Sequence, residues 1–278
     1  MFTMEMTPTS SRESGQAAVE AALIVPLMVF MVLGIIQLGM MHHARLMTEY
    51  AAYRSARAGI VNHAHCELMR NAALVSVLPT LGPTPSGQPG RVDTLLRAAK
   101  HYREYAVSGT NNPVLFHIPG KLEKVRVEVL NPKKSQLSNL FSTYGDAMKA
   151  QEIDYDDVRD DAIIRANLLS VRITYFYEMR IPFANWLIHG WFMGFDSLDK
   201  LKGIQFENQR LGGQASHQAL EKLGASKGKT SRQKNDYKLI SGLATGQRKY
   251  IIPLVTTYSM RMQSNMMQKH VSPCAVDE

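Results

Sequence analysis

Two kinds of hydrophobic pattern divide the chain. From Ala21 through Met41 no Asp, Glu, Lys, Arg or His interrupts an apolar run, and its length matches the roughly 20 residues a helix needs to cross a bilayer. A helix is the form that fits there, because lipid offers backbone N–H and C=O groups no partners. Further on, the period shortens to two. Val125, Val127 and Val129 alternate with Arg126 and Glu128 over 124–130. Val171, Ile173, Tyr175, Tyr177 and Met179 alternate with Arg172, Thr174, Glu178 and Arg180 until Pro182. Over 250–262, Ile252, Leu254, Tyr258, Met260 and Met262 share one face and Arg261 takes the other. This alternation predicts three half-buried strands, with Val114–Ile118 as a candidate fourth, and Pro253 suits an edge or the start of pairing. A polar face on each strand predicts an antiparallel sheet covered on one side.

Between anchor and sheet, Leu46, Tyr50, Tyr53, Ile60, Ala64, Leu68 and Val75 recur at three-to-four spacing. That spacing predicts that the first helix continues to about Val77 and covers the sheet with this face. Ala51, Ala52, Ala56 and Ala58 favour helix and allow close packing. Gly59 costs about 1 kcal/mol relative to Ala inside a helix and is read as a bend. Pro26 and Gly34, inside the apolar run, fit either a kink or the ordinary tolerance of membrane helices for both residues. Pro79–Gly90 is a breaker segment, and 91–107 reads as a second helix. The fold class is therefore α+β.

The chain of 278 residues is long enough for a core beyond the anchor. Its net charge of +8 is compatible with anionic partners but selects none. The run Lys222, Lys227, Lys229, Arg232 and Lys234 reads as a solvated face. The acidic cluster Asp154, Asp156, Asp157, Asp160 and Asp161 lacks the spacing of a calcium loop. Two cysteines, Cys66 and Cys274, leave two readings open: one bridge in an oxidising compartment, or two free thiols. His63-Ala64-His65-Cys66, placed on a helix, splays its two imidazoles about 200° apart, so no metal site is expected. Gly224-Ala225-Ser226-Lys227-Gly228 imitates a nucleophile elbow, and 224–230 imitates a phosphate loop. Neither follows a strand, so no catalytic residue and no cofactor is assigned. Phe183–Phe195 is the most apolar stretch outside the anchor and too short to span a bilayer. It reads either as core or as a membrane-interface or docking segment presenting Trp186 and Trp191.

The residues around the start of the apolar run carry a resemblance. Ser14-Gly15-Gln16-Ala17-Ala18-Val19-Glu20-Ala21-Ala22-Leu23 places a carboxylate five residues after a glycine, at the mouth of a membrane helix. A charge there costs up to roughly 2.5–3.5 kcal/mol, less near the bilayer edge, and marks a functional residue with a cationic partner. The segment resembles the processing site of type IV pilins and, more narrowly, the TadE-like proteins of the tight-adherence (Flp) pilus. The resemblance implies a prepilin-type leader over 1–15, a transmembrane helix over 16–41 and an extracytoplasmic pilin-like domain over 42–278. Within that domain, 79–90 is a loop and 196–248 a polar insertion.

The resemblance also implies cleavage by a prepilin peptidase between Gly15 and Gln16. Glu20 then meets the new amino terminus of a neighbouring subunit. The implied partners are that peptidase, other Tad pilins or pseudopilins, the inner-membrane assembly platform and the lipid bilayer. Nucleic acid is not expected. Arginine placement taken alone, Arg12 before the run and Arg45, Arg54 and Arg57 after it, favours the opposite orientation; the periplasmic placement follows from the family. The alternative to a processed pilin is an uncleaved anchor carrying a periplasmic binding, adhesion or secretion-accessory module.

Overall fold

In the computed structural model, which describes residues 14–81, 104–105, 122–143, 152–198 and 231–276, the chain starts as one long helix, α1 (Ser14–Val61). It runs through Pro26 and Gly34 without a break. The expected continuation to Val77 does not occur. The chain reverses over Asn62–His65, with His63 and Ala64 both at a φ of 55°, and a separate helix α2 (Cys66–Val77) packs back on α1. A left-handed backbone is unfavourable for Ala and easier for His, so the reversal needs outside support. Ser264 and Asn265 supply it. Ser264 Oγ accepts from the His63 N–H (3.0 Å) and donates to the Ile60 carbonyl (2.8 Å), and the Asn265 carbonyl lies 2.8 Å from His63 Nδ1.

A short 3-10 turn, Leu78–Thr80, follows α2. The pair β1 (Glu104–Tyr105) and β2 (Leu122–Glu123) is antiparallel, which corrects the expectation of helix at 104–105. The rest of that predicted helix, the fourth-strand candidate at 114–118 and both catalytic look-alikes at 224–230 lie outside the described residues. Then come β3 (Val125–Asn131), α3 (Lys134–Thr143), β4 (Glu152–Ile153), α4 (Asp161–Ala166) and β5 (Leu168–Met179). They are followed by α5 (Ala184–Leu198), α6 (Ser231–Gln247), β6 (Tyr250–Arg261), β7 (Met266–Met267) and α7 (Gln268–Val271).

The three strands read from period two form one antiparallel sheet in the order β3-β5-β6. Its register aligns the apolar positions: Val127 opposite Ile173, and Tyr175 flanked by Val125 and Leu254. These residues face α1 and α2 in one continuous core. Pro253, on β6, sits opposite Phe176; among the described strands β6 is an edge, where the missing proline N–H costs no ladder bond. On the far side of β3, Cys274 and Val276 hydrogen-bond the backbone of Val129 at 2.8 and 3.1 Å. The C-terminal tail therefore covers an edge that would otherwise be open to another strand.

The expected inner face holds at Ile60 and Ala64, both buried, but not lower on α1. Leu46 and Tyr50 are 47% and 49% exposed, whereas Ala44, Thr48, Ala51, Ala52, Ser55 and Ala56 are fully buried. Small residues let α1 lie between α2 and the sheet; larger ones would hold it off. Gly59 follows the same logic. A Cβ there would come within 2.6 Å of both Leu169 Cδ2 and Met69 Sδ. Both neighbours are fully buried and have nowhere to swing. Gly59→Val is therefore expected to cost about 1–3 kcal/mol by overpacking, visible as a lower thermal midpoint of the detergent-solubilised chain. An unchanged midpoint would contradict this packing.

The sheet is covered on its second face too, against the expectation of one covered side. Leu239, Ile240 and Leu243 of α6 pack on Phe176, Ile251 and Leu122 in a second core. The polar residues of this face pair with one another. Arg172 donates to Glu128 at 2.8 and 3.0 Å. The Arg126 guanidinium grips both carboxylate oxygens of Asp236 on α6 and lies over the Phe176 ring. Paired charges of this kind resist separation, because a partner left alone at a half-buried site loses both water and its counter-ion.

Candidate functional site

Residues 17–32 of α1 are exposed at every position. Leu23, Leu27 and Met31 are 71%, 69% and 67% exposed, and Ile24, Met28 and Ile35 on other faces are also bare. A soluble helix would bury one stripe of this surface. Among the described residues, the helix beginning at Ala17 is the one long and apolar enough to cross a membrane, and a surface apolar all round is that of a single-pass membrane anchor. Gly15 and Gln16 lie in the first turn of α1, and Glu20 lies exposed just beyond them. At 1.5 Å per residue, Glu20 sits about one turn above the Gly15–Gln16 bond and on the same side as Gln16.

This arrangement can do one kind of chemistry without machinery of its own. Hydrolysis of the Gly15–Gln16 amide by an external peptidase would leave a carboxylate on Gly15 and an amine on Gln16. That amine is cationic near neutral pH. A carboxylate at the edge of a low-dielectric slab attracts such a cation far more strongly than it would in water.

The anchor leads into a domain locked at its membrane-distal end. Cys66, the first residue of α2, is bonded to Cys274 of the tail, with Cα atoms 5.7 Å apart. The bridge ties the tail to α2, not to the long stem. Three imidazoles gather beside it. His65 and His270 have ring centroids 4.5 Å apart, and His63 and His270 6.4 Å. His63 and His65 lie in the reversal, so the helical spacing used to set them apart does not apply. Still, among the described residues no group of three or more His, Cys, Asp or Glu is placed to hold a metal ion. Burial, then His65, Lys269 and His63, push His270 below the ordinary imidazole range, so it favours its neutral form.

The acidic cluster spends its carboxylates locally. Asp160 caps α4 by accepting from the Ala162 N–H at 3.0 Å. Asp157 accepts from Arg159, which holds its carboxyl below the usual range. The basic run falls on 222–230, outside the described residues, and on α6 positions whose side chains are likewise not described.

These observations define a class first: a single membrane-anchor helix whose extension packs on the antiparallel sheet of an α+β domain. A comparison adds to this: residues 15–57 match the family model of the TadE-like protein, and over this stretch the chain resembles that family. The match opens on Gly15 and closes just before α1 ends, so it lies wholly within that helix. No curated protein and no solved structure matches the chain.

Proposed function

We propose that the protein is a non-catalytic minor pilin or pseudopilin that takes part in assembling a Tad (Flp) type IV pilus. The observation that carries this reading is the TadE-like match beginning at Gly15 on a helix whose apolar residues 17–32 are all exposed. The chain is held in the inner membrane by α1 and trimmed between Gly15 and Gln16 by a prepilin peptidase. The domain lies on the periplasmic side. The Cys66–Cys274 bridge supports that side, because disulfides persist in oxidising compartments. Arg45, Arg54 and Arg57, which argue for the other side by charge alone, lie on the part of α1 that packs within the domain. There Arg45 is 3.6 Å from Glu49, and Arg57 donates to the Tyr53 hydroxyl.

In the assembled state Glu20 meets the amine of a neighbouring subunit. The exposed Leu46 and Tyr50 add apolar contact higher on the same helix. Glu20→Ala, in cells lacking the native gene, is expected to leave the protein in the membrane and to cut surface pili by about tenfold or more. Undiminished piliation would overturn the assigned role of Glu20.

A further inference from the structure

The segment after β5 exposes more apolar surface than a soluble domain leaves bare. Phe183, Trp186, Leu187 and Trp191 are 62%, 63%, 58% and 68% exposed, and Gly190 is exposed with them. Their spacing is that of one stripe on a helix. The opposite face of α5 is engaged: Ala184 and His189 are buried, Phe192 stacks on Tyr237 of α6, and His189 meets the Tyr250 ring at 5.3 Å. The stripe is thus a built surface, held in place from behind, and no charged residue interrupts 183–195.

Its position names its occupant. The Ile181 N–H donates to Gln37 Oε1 at 2.9 Å, and Gln37 is fully buried, the first such position met along α1. The Phe183 ring packs edge-on against Phe30 at 5.5 Å. Phe183 holds a φ of 63° at the turn that delivers α5 to this place. Phe30 and Gln37 both lie within the charge-free run Ala21–Met41, Phe30 about 10 Å nearer the bilayer interior at 1.5 Å per residue. Whatever surrounds Phe30 also surrounds Phe183 and the stripe that continues from it.

We propose that α5 is a second membrane contact: an interfacial helix that lies in the leaflet on the domain's side and inserts Phe183, Trp186, Leu187 and Trp191 beside α1. An apolar stripe too short to span lies in the plane of the interface, sunk about 5–10 Å into the headgroup–acyl boundary; with that boundary at Gln37, where α1 first becomes buried, Phe30 lies about 10 Å below it. Trp is the residue suited to that level, with an apolar ring and a polar N–H. The contact fixes the tilt and height of the domain over the bilayer, which a single helix leaves free. The inference needs α1 to span a membrane but does not depend on the pilus.

The chain contains two tryptophans, and both are on this stripe, so intrinsic fluorescence reports on it alone. The full chain is reconstituted in phosphatidylcholine–phosphatidylglycerol vesicles containing lipids brominated at different acyl depths, with Trp186→Phe and Trp191→Phe separating the two signals. The expected result is blue-shifted emission, protection from aqueous iodide, and quenching stronger for bromines high on the chain than near its end. Leu187→Glu, at an exposed position, should reverse all three. Quenching by iodide but not by bromolipid overturns the proposal, as does shielding from both, which would mean that protein covers the stripe. Flotation of the vesicles reads α1 insertion separately, so a failed anchor and a failed interfacial helix give different results.

Discussion

Replacing Cys274 with serine is expected to lower the stability of the oxidised domain by about 5 kcal/mol, the chain-entropy figure for so long a closed loop. The bridge joins positions 208 residues apart, so it removes more freedom from the unfolded chain than a local staple could. The tail it secures is structural: it hydrogen-bonds both sides of Val129 and covers the open edge of β3. For a domain of this size the loss is roughly 10–20 °C in thermal midpoint. Cys66→Ser and the double variant should give the same shift, and reductant should reproduce it in the native chain. A midpoint indifferent to all four would show that the bridge contributes nothing.

Gly15→Val is expected to abolish trimming of the N-terminus while leaving the fold untouched. A Cβ at Gly15 meets nothing within 4 Å, so no internal clash can explain a loss, in contrast to Gly59. The effect has to come from an enzyme that must reach the Gly15 carbonyl. Gly15 lies in the first turn of α1, where helices fray readily, so exposing an extended peptide there costs little. A β-branched side chain beside the scissile carbonyl hinders that approach. The measurement is the ratio of full-length to trimmed chain in cells that hold the peptidase, with thermal midpoint as the control. Normal trimming of the variant would remove Gly15 from the processing site.

What was legible in the sequence was whatever rests on local pattern. The anchor is a composition signal, and the three long strands are a period-two signal that burial follows from Val171 to Met179 except at Phe176, which the second core buries. Gly15, Gln16 and Glu20 are likewise assigned from a local motif, and their roles belong to the proposed function. The misreadings come from partners distant in sequence. A helix through Asn62–His65 satisfied local spacing, but Ser264 and Asn265 hold a reversal there. Asn and His, both tolerant of positive φ, were the available hint.

The choice of Leu46 and Tyr50 as the inner face assumed that large apolar residues go inside. With a second helix packed close by, the alanine face wins and the larger residues are left for other contacts. The second covered face was hidden because Leu239, Ile240 and Leu243 sit in a polar stretch. The pairing of Cys66 with Cys274 had no local signature at all. The core reading of 183–195 holds for one face of α5, which is packed; the other face leaves Trp186 and Trp191 exposed, and the interface reading of it is the proposal made above.

The account rests on Glu20 and a newly made amine, and so on the bond after Gly15. Its most direct test is the intact mass and N-terminal sequence of the membrane-extracted protein from cells that hold the prepilin peptidase. The account predicts a chain that begins at Gln16. A chain that still carries Ser14-Gly15 at its start, in cells whose major pilin is trimmed, would contradict it.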